Sequence, residues 1–126
     1  MSVPAEIAAS KQISLTTYRK NGTAVSTPVW QVSEGNTLTT VSLADAWKVK
    51  RIRNNPRVEV TACDIRGKIR PGAQPVPGTA ALLPPSETEN ARRLLESRYL
   101  SARIGGWFNR TFHIKRPEGV GIVVTF

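Results

Sequence analysis

The feature that most constrains this chain is a series of short alternating segments broken by glycine turns. In "KQISLTTYRKNGTAVSTPVWQV", Ile13, Leu15 and Thr17 alternate with Ser14, Thr16 and Tyr18. A period of two predicts a half-buried strand. Asn21-Gly22 follows, the dipeptide of a two-residue type I′ hairpin turn. Ala24 to Val32 is rich in Val, Thr and Trp, a strand composition. Pro28 interrupts it and cannot donate to a sheet ladder, which places this strand at an edge or a bulge. Glu34-Gly35-Asn36 predicts a second turn, and Thr37 to Val41 a third strand. Three strands joined by tight turns make an antiparallel meander.

A basic segment comes next, "SLADAWKVKRIRNNPR" from Ser42 to Arg57. Ser42 followed by Asp45 is a capping-box-like start. Leu43, Ala46, Trp47, Val49 and Ile52 supply an apolar side, and Asn55 before Pro56 ends the helix. "RVEVTACDI" predicts a fourth strand, "RGKIRPGAQPVPG" a loop and "TAALL" a fifth strand. "SETENARRLLESRYL" opens with Ser86 and Glu89 as a capping box and carries an apolar stripe at Leu94, Leu95, Tyr99 and Leu100. "SARIGGWFNRTFHIKRPEG" reads as a loop with some helix, and "VGIVVTF" as a last strand. The expectation is one mainly β domain over residues 1–126, with six or so antiparallel strands and accessory helices. A small barrel removes most of the exposed edges of so short a chain.

The formal charge of +9 favours anionic partners without choosing among nucleic acid, acidic lipid and phosphorylated small molecules. Aromatic residues do not alternate beside the basic ones, as they do in single-strand binders, and no helix-turn-helix is evident, so nucleic-acid binding is disfavoured. No stretch approaches the roughly 20 apolar residues of a membrane span. The N-terminal "MSVPAEIAASKQ" lacks the apolar core of a signal peptide. One cysteine, Cys63, agrees with a reducing, cytoplasmic setting. In an alternating strand it reads as a packing residue.

The usual machinery of catalysis is missing. One histidine (His113) and one thiol cannot assemble a zinc site, and acidic residues are few and scattered. No GxGxxG or P-loop occurs. If the chain is an enzyme, a bound organic cofactor supplies the hard chemistry. Lys48 and Arg51, spaced i,i+3, share a helix face; Lys50 and Arg53 form a second pair roughly 160–200° away. One pair is therefore expected at a ligand and the other in solvent or across a dimer. A phosphate near Ser42 would also meet free N–H groups at the helix start.

Three stretches, "ISLTTYRKNGTAVSTPVW", "TVSLADAWKVKRIRNNPRVEVTACDIRGK" and "PVPGTAALL", resemble the pyridoxamine-phosphate-oxidase-like flavin-binding split β-barrel superfamily. The more specific likeness is to its small deazaflavin (coenzyme F420)-dependent oxidoreductases. Its sharpest piece is the lysine eight residues before the proline of "NNPRV", here Lys48 and Pro56. The resemblance implies an FMN-binding-type split barrel and a homodimer with cofactors at the subunit interface. It implies phosphate binding by Lys48, helped by Lys50 and Arg51. Ser26, Thr27, Pro28 and Val29 would line the ring system, with Val41 and Ser42 beside the phosphate and ring linker. Trp47 is a candidate ring contact, and Trp107 with Asn109 could cover the cofactor from the partner subunit. The implied activity is hydride transfer between coenzyme F420 and an unsaturated organic substrate. Two alternatives stand beside it: an FMN-binding oxidoreductase of the same fold, and a carrier that holds F420 without turnover. Not all the arginine and tryptophan contacts of the flavin-using oxidases can be placed here, which favours the deazaflavin over FMN. No metal is implied.

Overall fold

Alternation does set the first hairpin. The computed structural model describes residues 3–43, 46–99 and 119–126. β1 (Gln12–Tyr18) pairs antiparallel with β2 (Ala24–Trp30), Leu15 lying opposite Thr27. The tip is one residue longer than the expected turn. The Arg19 N–H donates to the Thr23 carbonyl at 2.9 Å, and the Gly22 N–H to the Arg19 carbonyl at 2.8 Å. Lys20, Asn21 and Gly22 thus form a three-residue loop. Gly22 closes it at φ 90°, a left-handed conformation that costs glycine little. The Asn21 side chain accepts from the Thr23 N–H at 3.0 Å and so serves the loop as an acceptor.

The remaining strands are β3 (Val32–Glu34), β4 (Thr37–Leu43), β5 (Arg57–Cys63), β6 (Val76–Leu82) and β7 (Gly119–Thr125). All seven form one antiparallel sheet in the order β2-β1-β5-β6-β7-β4-β3. Its two ends, β2 and β3, are consecutive in the chain and separated by Gln31 alone. One extended run therefore pairs with β1 through its first half and with β4 through its second, and the sheet curls into a split barrel. Gln31 is buried at this handover. Its Nε2 donates to the carbonyls of Ile7 and Ser10, and its Oε1 accepts from the Ser33 hydroxyl.

The interior is one apolar cluster. Ile13 and Leu15 come from β1, Val29 from β2, Leu38 from β4, Val58 and Val60 from β5, Ala80 from β6, and Ile122 and Val124 from β7. The short helix α1 (Ala5–Ala8) adds Ile7, and α2 (Trp47–Asn54) adds Val49 and Ile52 while packing on β1 and β6. A third helix, α3 (Pro85–Tyr99), lies elsewhere. Its Leu94 and Leu95 meet Trp30, Val32 and Val41 in a separate cluster against β3, β4 and β7.

Three boundaries differ from expectation, and at two of them long-range pairing overrides a local signal. Ser42 and Leu43 extend β4 by pairing with Val120 and Gly119, so the basic helix starts at Trp47. Its N-cap is Ala46, with no side-chain cap, and the proposed Ser42–Asp45 box does not begin it. By contrast, α3 begins at Pro85 rather than after Ser86 for a local reason, since proline's fixed φ suits a first helical turn. β6 begins at Val76 and passes through Pro77, which pairs with Glu59 on β5 but precedes the β6–β7 ladder. Pro77 therefore sits where only one neighbour asks for hydrogen bonds. Pro28 obeys the same rule on β2, at one end of the strand order.

Candidate functional site

Helix α2 and the tip of the first hairpin enclose a cleft of about 430 Å³ lined by Arg19, Lys20, Trp47, Lys50, Arg51 and Asn54. The helical members are spaced 47, 50, 51 and 54, which is one face of an α-helix. The face opposite carries Val49 and Ile52 into the core. Burial of those two residues sets the rotation of the helix, and that rotation decides which cations converge. The cleft accordingly takes Lys50 and Arg51, one from each of the pairs expected to part company. Arg53 is exposed and is not among the lining residues.

Lys48 sits further round the helix, half-buried beside Arg51 and outside the cleft lining. Burial, and then the Arg51 charge, lower its pKa from the ordinary lysine value. Burial, and then the Arg19 charge, lower that of Arg51. Both shifts signal a region where positive charge is crowded and partly dehydrated. Among the described residues, the ion pairs join Glu89 to Arg92 and Arg93 on α3, and none involves these cations. The Arg51 Nε–H instead donates to the Thr17 hydroxyl at 2.7 Å.

Trp47 is 69% exposed, with the Lys50 ammonium 4.5 Å from its ring centroid. That cation–π contact holds an indole face at the mouth of the cleft. None of the lining residues is a carboxylate, histidine or thiol, so the cleft can bind and orient an anion but holds no evident general base. Cys63 is fully buried at the end of β5, and burial raises its thiol pKa. It is a packing residue, as the sequence suggested.

The other expected site residues are distributed by strand alternation. Thr27 and Val29 lie opposite Leu15 and Ile13 and so share their inward side. Ser26 and Pro28 take the outer side. Ser26 exchanges a 2.7 Å hydrogen bond with Thr16, and Pro28 packs where a Cβ on Gly67 would come within 3.3 Å. The Thr27 Oγ1 is buried without a hydrogen-bond partner among the described residues. Val41 packs toward α3, whereas Ser42, next along β4, is buried. The four residues of β2 and the two of β4 therefore cannot all present side chains to one ligand. Trp107, Asn109 and His113 lie outside the described residues.

Arg19, Lys20, Asn54 and Thr17 were not expected at the site. Arg19 and Lys20 were visible as a basic pair at a hairpin tip, but their approach to α2 depends on tertiary packing. Thr17 left a clearer trace: it is a polar residue in line with Ile13 and Leu15, on the face that should be apolar.

Fit to a phosphate-bearing cofactor can be judged from the donors. Arginine and lysine at one cleft, with no carboxylate against them among the described residues, suit a phosphate. The volume lies within the range of small-molecule sites, about 300–1,000 Å³. The residues present fit such a group. Among the described residues no cluster of His, Cys, Asp or Glu could hold a metal, and no helix is long and apolar enough to cross a membrane.

The seven strands curl into a split barrel, with the cationic cleft beside α2. The chain belongs to the pyridoxamine 5′-phosphate oxidase family, whose model matches residues 3–125. A search of curated proteins finds no match. Among solved structures, an F420 reductase superposes with a TM-score of 0.62 at 20% identity, over 98% of this chain and 94% of that one. An FAD-binding protein from Mesorhizobium loti gives 0.67 at 18% identity, over 100% and 91%. The heme storage protein HutZ from Vibrio cholerae gives 0.68 at 11% identity, over 95% and 84%. At these identities the likeness is one of fold, and the fold serves different ligands.

Proposed function

We propose that this chain is an oxidoreductase that binds coenzyme F420 by its phosphate and passes hydride between that cofactor and an unsaturated organic substrate. The observation that carries this reading is the cationic cleft on α2, which no carboxylate compensates among the described residues, with Lys48 beside it. Arg51, Lys50 and Lys48 would hold the phosphate, with Arg19 and Lys20 closing over it from the hairpin. Trp47 offers a flat apolar face beside them. Thr27, through its unpartnered hydroxyl, is the member of β2 suited to hydrogen-bond a bound ring system. The chemistry such a cofactor supplies is two-electron hydride transfer. The protein's share is to fix the ring face and exclude water, with any proton drawn from solvent. FMN is the alternative cofactor, supported by the flavin-binding members of the fold. A homodimer with the site at its interface fits the exposed Trp47, since tryptophan is enriched at interfaces.

The test is titration of the purified protein with F420 and, separately, with FMN, following cofactor fluorescence. Tight binding of F420 is expected, weakened in Lys48→Ala. Binding of FMN alone would overturn the cofactor assignment, and an unchanged affinity in Lys48→Ala would remove that lysine from the site. A second reading, a carrier that holds the cofactor without turnover, is favoured by the lack of any acid or base in the cleft lining. Substrate reduction by the loaded, reduced protein would eliminate it.

A further inference from the structure

The charge of the cleft does not explain how Arg51 stays in it. Arg19 and Lys48 both repel its guanidinium, and no carboxylate pairs with it among the described residues. An untethered arginine in that position gains both side-chain entropy and hydration by swinging outward. The tether present is the Thr17 hydroxyl, which accepts the Arg51 Nε–H at 2.7 Å across 34 residues of sequence.

Thr17 itself has no exposed surface, and Ile13 and Leu15 share its side of β1. Packing alone favours valine or isoleucine at such a position, because a buried hydroxyl needs a partner to offset its dehydration. Here the partner is Arg51. The pairing has a stereochemical consequence. With Nε committed to Thr17, the two terminal nitrogens of the guanidinium are left as an end-on fork for an anion. A neutral hydroxyl also leaves the positive charge intact. A carboxylate in its place would hold the guanidinium more firmly and cancel the charge that the cleft depends on.

We propose that Thr17 is a positioning residue, which locks Arg51 so that its terminal N–H groups face a phosphate group in the α2 cleft. The proposal rests on the phosphate-site reading above, but not on which cofactor carries the phosphate.

Calorimetric titration of the full chain with inorganic pyrophosphate tests it independently of the cofactor. Thr17→Val is expected to weaken binding about tenfold, the scale of one charge-assisted hydrogen bond, while Thr17→Ser stays within about twofold. Arg51→Lys keeps the charge and leaves the β1 core untouched, and it should weaken binding as much as Thr17→Val does. It provides the same test should the hydroxyl-free variant fail to fold. The dependence of log affinity on log salt should keep its slope in Thr17→Val, where the charge remains, and become shallower in Arg51→Ala. In the double variant Thr17→Val/Arg51→Ala, binding should be no weaker than in Arg51→Ala alone.

Native-like binding by Thr17→Val or by Arg51→Lys would overturn the positioning role. Equal weakening in Thr17→Ser and Thr17→Val, with equal losses of Tm, would do so as well, by revealing a packing role. Native-like binding by Arg51→Ala would instead bring down the phosphate site at this residue.

Discussion

Helices α2 and α3 are both rich in arginine and both pack against the barrel, yet they treat their charge in opposite ways. On α3, Glu89 meets Arg92 at i,i+3 and Arg93 at i,i+4, so two of its three arginines are answered on their own helix. On α2 the first turn holds no acid, and Lys50 and Arg51 converge with Arg19 and Lys20 from the hairpin. Local pairs like those on α3 contribute little, about 0.3–0.5 kcal/mol each, and are weakened by salt. Convergence of the α2 kind is unfavourable to the folded chain by itself and is retained where an anion answers it. The count of basic residues does not separate the two helices. Their counter-charges do.

The comparison can be broken first at the core contacts that orient each helix. Ile52→Ala and Leu95→Ala should each cost about 2–5 kcal/mol, measured by urea unfolding. Under conditions where both variants are folded, only Ile52→Ala should also weaken anion binding, because it loosens the helix that carries the cleft. Next, Lys48→Ala/Arg51→Ala should lower cofactor affinity about 100-fold by fluorescence titration, given two charge-assisted contacts. Arg92→Ala/Arg93→Ala removes as much charge and should leave affinity within about twofold, the scale of a screened distant effect. Equal losses in the two double variants would mean that general attraction, not convergence, drives binding.

A smaller effect sharpens the contrast by its sign. The Lys48 pKa is lowered in the folded chain, so folding is opposed while the amine is charged in both states. That penalty is fully present below the lowered pKa and is relieved as pH rises toward the ordinary lysine value. Lys48→Met should therefore stabilise the ligand-free protein at neutral pH by about 0.5 kcal/mol, the partial exposure of the amine keeping the gain small. The same substitution should weaken anion binding. In the native chain, anion affinity should fall as pH rises through the pKa of Lys48. A calorimetric pH series checks this, since an affinity that stays flat over that range would mean that the lysine faces away from the ligand. Smallest of all, Arg93→Gln removes one of the two Glu89 pairs and should cost no more than about 0.5 kcal/mol, a loss that should shrink in high salt.

Much of the fold was legible because period-2 patterning and turn residues are local signals. Ile13 and Leu15 alternate as β1 does, and the residue before Pro56 stops α2 where expected, with Asn55 in extended conformation. Two of the three misread boundaries are set by partners distant in sequence. Ser42 carries a cap signal but pairs with Val120, 78 positions on. The site was legible in part for the same reason. Lys50, Arg51 and Trp47 lie on one segment and could be read together. Arg19, Lys20 and Thr17 reach them through the packing of α2 on β1, which no spacing in the sequence encodes. The split of Ser26 and Pro28 from Thr27 and Val29 follows from alternation alone. It was hidden because a resemblance to a strand says nothing about which side of it a ligand takes.

Gln31 carries a consequence of a different kind. Because a single residue hands the chain from one rim of the sheet to the other, the hoop is shut by covalent bonds rather than by a row of hydrogen bonds. A hoop shut this way has no slack. Lengthening the chain at Gly35, in the two-residue turn between β3 and β4, changes a surface tip. Adding the same length at Gln31 would let the two rims drift apart in register while leaving every strand intact. The gap between the two rims is thus fixed at the length of one residue.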